Sequence, residues 1–130
     1  MRIEHLALNV ADPLEMARWY VANLGFQVKR RVMEPPWAHF LADDSGLMML
    51  EIYGRTDLEV PDYAAIHSGT LHLALVSTDV AADADRLVRA GCTKEGDVQT
   101  LPGGGQMAFL RDPWGLCLQL IKRTEPLLGS

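Results

Sequence analysis

The chain has no apolar run near the roughly 20 residues that a membrane helix requires; its candidates are short stretches such as Leu47 to Leu50. Residues 1–10 carry charges at Arg2 and Glu4 and already alternate, so both the basic and the apolar region of an export signal are missing, and a cytoplasmic location is expected. Cysteine is scarce. Cys92 and Cys117 form no CxxC pair, which argues against a disulfide framework or a zinc knuckle and for free thiols. Positive charge is also short, with 12 Lys and Arg against 17 Asp and Glu, a net charge of −5 that disfavours a nucleic-acid partner. The one basic cluster is Lys29, Arg30 and Arg31; because successive strand residues point to opposite faces, these three are expected to form no compact patch but a solvated strand end. The glycine run 103–105 lacks the Lys and Ser/Thr of a phosphate loop and reads as a hairpin loop.

What is present is a repeat. IEHLALNVADP at 3–13 matches TLHLALVSTDV at 70–80, placing His5 and His72 at an offset of 67 residues. FLADDSGLMMLEIY at 40–53 then matches FLRDPWGLCLQLIK at 109–122 in the same order. With only two copies in 130 residues, a solenoid is excluded and a pseudo-twofold pair of modules is expected within one compact unit.

Each copy reads as strand, helix and three strands. Residues 2–9 and 70–77 alternate and suit strands. Asp12 is placed to N-cap a helix with Pro13 at its first position and Glu15 reaching back, and Ala17, Tyr20, Val21 and Leu24 repeat at helical spacing before Gly25. Asp79 and Gly91 bracket a second helix with Val80, Ala84, Leu87 and Val88 inward. Further strands are expected at about 26–33, 37–42 and 47–53, then 97–101, 106–111 and 116–122. Asp43-Asp44-Ser45-Gly46 and Asp112-Pro113-Trp114-Gly115 supply turns between them. The organisation is thus a single domain: module 1 at about 1–53, a linker at 54–69, module 2 at about 70–123 and a tail at 124–130.

Alternation puts Ile3, His5, Ala7 and Asn9 on one face, and likewise Met49, Glu51 and Tyr53, then Thr70, His72 and Ala74, then Cys117, Gln119 and Ile121. Each module offers one His and one Glu or Gln. A carboxylate at Glu51 between Leu50 and Ile52 costs several kcal/mol to bury unpaired, so a metal or cation is expected beside it. Met49, Tyr53 and Cys117 share the faces of these ligand candidates and are expected to line a pocket; Trp37, Phe40, Phe109 and Trp114 read first as core or interface. His39 and His67 have no partner at a recognised spacing and are assigned no chemistry.

Through HLALNVAD at 5–12, GLMMLEIY at 46–53, HLALVSTDV at 72–80 and FLRDPWGLCLQL at 109–120, nearly the whole chain resembles the vicinal oxygen chelate superfamily of glyoxalases, bleomycin-resistance proteins and extradiol dioxygenases. The resemblance implies a glyoxalase-like α+β fold of two tandem βαβββ modules, whose curved mixed sheets form a cup. It maps a divalent metal onto His5, Glu51, His72 and Gln119, with Zn, Ni, Co, Mn or Fe all compatible. It further implies a lyase or isomerase that stabilises an enolate or enediolate of a small oxygenated substrate on the metal, with Glu51 as the catalytic base, in a homodimer. Gln119 departs from members that carry a second carboxylate there; a neutral amide cannot shuttle a proton, which weakens a two-base reaction. The alternatives are a ring-cleaving dioxygenase dependent on iron and a metal-free binding protein of the bleomycin-resistance type.

Overall fold

The structure, a computed structural model, describes residues 1–129. Its contacts divide the chain into two compact units, Met1–Pro61 and Asp62–Ser130.

In the first unit β1 (His5–Asn9) leads into α1 (Pro13–Leu24), followed by β2 (Gln27–Arg31), β3 (His39–Ala42) and β4 (Met49–Tyr53). The sheet runs in the order β1-β4-β3-β2, with β1 parallel to β4 and the other pairs antiparallel. α1 starts where its sequence dictates. The Asp12 carboxylate accepts the Glu15 N–H at 3.3 Å, which satisfies one of the helix's orphan donors, and Gly25 at φ 72° takes the left-handed turn that ends it. Glu15 does not reach back; its carboxylate pairs with Arg18 one turn on. The buried stripe of α1 is Pro13, Met16, Ala17 and Tyr20, so the expected inward pair Val21 and Leu24 lies off it, with Val21 exposed. On β4, Leu50 and Ile52 are buried with the α1 stripe in the core, whereas Met49, Glu51 and Tyr53 between them are only half-buried.

The second unit has a single 3-10 turn at Tyr63–Ala65, then β5 (Leu73–Val76), α2 (Val80–Arg89), β6 (Thr93–Lys94), β7 (Gln99–Thr100), β8 (Gln106–Arg111) and β9 (Cys117–Lys122). The order is β5-β9-β8-β6, with β7 also on β8 and β5 parallel to β9. Asp79 caps α2 by accepting the Ala82 N–H at 3.1 Å, and Val80, Ala84 and Leu87 are buried, but Val88 is exposed. The strand expected at 97–101 is only Gln99–Thr100, and a short strand that was not expected, Thr93–Lys94, precedes it; between the two lies Gly96 at φ +101°, a conformation that breaks a strand. The strand expected from residue 70 starts only at Leu73, because the N–H groups of Thr70 and Leu71 turn back to the His67 carbonyl. Each last strand follows the same turn: Asp43 and Asp112 accept N–H groups two residues on, and Gly46 and Gly115 close the i to i+3 bond. Among the described residues no helix is long and apolar enough to cross a membrane. Both modules are thus βαβββ units with mixed sheets, an α+β fold.

Candidate functional site

His5 opens β1 and Glu51 is central in β4. In the parallel register Ala7 stands beside Glu51 and His5 beside Met49, so His5 and Glu51 are diagonal neighbours on one sheet face. The methyl of Ala7 leaves the imidazole room to lean over, and His5 Nε2 comes within 3.5 Å of Glu51 Oε1. Across the antiparallel side Glu51 is paired with Phe40, whose ring meets that of His5 edge-on at 5.4 Å. The Glu51 side chain is only 15% exposed, and among the described residues His5 is its one partner.

The other imidazole nitrogen is occupied as well. His5 Nδ1 lies 2.9 Å from Glu4 Oε1. A neutral imidazole has one N–H and here faces two carboxylates, so one of the two contacts sets lone pair against lone pair unless a proton or a cation lies between. With the N–H given to Glu4, Nε2 presents a bare lone pair beside Glu51 Oε1. Two ligands on one tetrahedral ion at about 2.1 Å stand roughly 3.4 Å apart, so this pair fits a divalent metal of the zinc type. The carboxylate behind the imidazole is the partner that metal-binding histidines ordinarily have.

The second unit repeats the arrangement in its own residues. Gln119 is central in β9, beside Ala74 on β5 and opposite Phe109 on β8, as Glu51 is beside Ala7 and opposite Phe40. His72 precedes β5 by one residue and meets Phe109 edge-on at 5.4 Å. Its Nδ1 is 2.7 Å from the Ser68 carbonyl. A carbonyl only accepts, so Nδ1 carries the hydrogen and Nε2 keeps a lone pair with which it can ligate a metal. The Gln119 amide nitrogen contacts Met107 Sδ at 3.4 Å, which leaves its carbonyl oxygen to act as a ligand. Each unit therefore supplies one imidazole and one oxygen donor. Among the described residues, no three His, Cys, Asp or Glu side chains gather as a metal cage.

A concavity of about 280 Å³ in the first unit is lined by Glu4, His5, Lys29, Arg30, Phe40 and Met49. Tyr53 pairs with Asn9 at the far end of β4, and Cys117 is buried in the second unit. His39 is a core residue, buried and bonded through Nδ1 to the Trp37 carbonyl. Sequence reasoning missed Glu4, Lys29 and Arg30. For Glu4 the alternation of a strand from Arg2 misleads, because β1 begins only at His5.

The model of the Glyoxalase/Bleomycin resistance protein/Dioxygenase superfamily matches residues 2–120. The chain belongs to this superfamily. It is similar to the solved structure of SMU.1112c, with 30% identity, a TM-score of 0.71, and 94% of this chain and 98% of that one covered. A glyoxalase family protein from Enterococcus faecalis is 28% identical, with a TM-score of 0.71 over 93% of this chain and 97% of that one. A glyoxalase I mutant from Zea mays is 24% identical, with a TM-score of 0.74 over 95% of this chain but 46% of its own, a likeness of fold. No curated protein sequence matches the chain.

Proposed function

We propose that this superfamily member is a metal-dependent lyase or isomerase of the glyoxalase type, acting on a small oxygenated substrate through its enolate or enediolate. The observation that carries the reading is the approach of His5 Nε2 to Glu51 Oε1 at 3.5 Å, with Glu4 behind the imidazole. His5 and Glu51 would hold the metal, and the family resemblance adds His72 and Gln119 as further ligands, two imidazoles and two oxygens in all. A divalent ion in this set supplies Lewis acidity that polarises a carbonyl or enolate oxygen. Glu51 is the one ionisable oxygen donor among the four, so removing a proton from the carbon beside that carbonyl falls to its carboxylate. Gln119 offers a neutral carbonyl oxygen and moves no proton. Phe40 and Phe109 hold the two imidazoles edge-on and narrow the rotations open to them.

The test is elemental analysis of protein purified without an affinity tag, wild type against Glu51→Ala and His72→Ala. Near-stoichiometric metal in the wild type, lost in both variants, is the expected result. Iron with oxygen uptake on a catechol replaces the lyase reading with a ring-cleaving dioxygenase. No metal in the wild type after incubation with Zn, Ni, Co, Mn or anaerobic Fe overturns the catalytic reading and leaves a small-molecule binding protein.

A further inference from the structure

β2 is not a regular strand. Val28 pairs with Leu41 and Arg30 with Phe40, so two steps along β2 match one step along β3 and Lys29 is the extra residue of a β-bulge. In a regular strand Lys29 and Arg30 face opposite sides; the bulge cancels that alternation, and both line the concavity that holds His5, Phe40 and Met49. Arg30 stands across from Phe40, which itself stands across from Glu51, so the cations lie on the same sheet face as the proposed ligands. Among the described residues neither Lys29 nor Arg30 has an ion-pair partner, and both are exposed, so their charges are open to an anion from solvent. The one carboxylate lining the space, Glu4, is engaged by His5. At about 280 Å³ the concavity is near the lower bound of small-molecule sites.

We infer that Lys29 and Arg30 form an oxyanion subsite, and that the substrate is a small anion whose carboxylate or phosphate group is held there while its reacting oxygens point to His5 and Glu51. The assignment rests on the proposed function for the direction of the reacting end, but anion binding itself needs no metal. Arg30 offers a planar fork of N–H donors and Lys29 a compact charge, a combination suited to a tetrahedral or trigonal oxyanion. A bulge at this position costs ladder hydrogen bonds in β2, and its structural effect is to bring a second cation to the site.

Isothermal titration of the purified protein with malonate, with inorganic phosphate and with neutral malonamide tests the subsite, on wild type and on Lys29→Gln/Arg30→Gln. Both the metal content and the thermal midpoint are measured on each protein, and Arg89→Gln/Lys94→Gln serves as a charge-matched control. The expected result is binding of malonate or phosphate but not malonamide, weakened roughly tenfold or more in Lys29→Gln/Arg30→Gln and unchanged in the control. Which of the two anions binds separates a carboxylate from a phosphate substrate. Equal affinity in wild type and Lys29→Gln/Arg30→Gln, equal weakening in the control, or no binding of either anion overturns the subsite. Loss of metal from the wild type with anion binding intact sinks the proposed lyase but leaves the subsite standing.

Discussion

Nε2 of His5 faces Oε1 of Glu51 at 3.5 Å while the same imidazole's Nδ1 faces Glu4 at 2.9 Å, so a single ring stands between two carboxylates. Removing either acid has a distinct consequence. Glu51→Gln takes away a charged ligand and is expected to weaken Zn affinity on the order of 100-fold, with loss of turnover. Glu4→Gln leaves every proposed ligand in place and loosens only the orientation of His5, so affinity falls roughly tenfold. Competition with a chromophoric chelator measures both, and equal affinity in Glu51→Gln and wild type would remove Glu51 from the site.

The phase of α2 can be tested by two neighbouring truncations. Leu87 is fully buried, so Leu87→Ala is expected to cost about 2–5 kcal/mol through lost transfer energy and the cavity left behind. Val88 is 40% exposed, and Val88→Ala should change stability by about 0.5 kcal/mol or less. Urea midpoints decide, and comparable losses would place Val88 in the core after all.

The two turns before β4 and β9 share a sequence logic but differ in space. Gly46 (φ +68°) has nothing within 4 Å of an added methyl, so Gly46→Ala bears only the left-handed backbone penalty of about 1–2 kcal/mol. At Gly115 (φ +94°) an added Cβ lies 2.7 Å from both the backbone nitrogen and Cβ of Ala64, so clash adds to strain. Gly115→Ala should be the more destabilising in thermal melts by at least about 1 kcal/mol.

Burial pushes the Cys92 thiol up to about 12, with the charge of Asp112 adding to the rise, and burial likewise raises Cys117. Neither thiol is expected to react with iodoacetamide in native protein at pH 8, and both should react in denaturant, since the thiolate is the nucleophile. The folded state holds the Cys92 proton more tightly than the unfolded chain. Its contribution to stability is therefore full below about pH 8.5 to 9 and lost as pH rises through that window toward about 12. Cys92→Ala should flatten the alkaline limb of a stability–pH curve, and an unchanged limb would assign it to other groups.

Much of this architecture was legible in one dimension because the signals that encode it are local. The duplicated HLAL segments, the capping aspartates Asp12 and Asp79, and the Asp-to-Gly turns at 43–46 and 112–115 act within four residues of themselves, so spacing alone exposes them. The same periodicity placed His5 and Glu51 on one face, and β1 and β4 bring that pair together. Tertiary structure decided the rest. The bulge at Lys29 exists only in the pairing of β2 with β3, and the start of β5 at Leu73 depends on turns closed by the His67 carbonyl. The inward stripe of α1 is set by which residues meet the sheet, which chose Met16 over Val21. Alternation assumes an uninterrupted ladder, and whether the ladder is uninterrupted is settled by partners distant in sequence. That is why two cations of a basic cluster that is solvated, as its spacing suggested, also line the same hollow as His5.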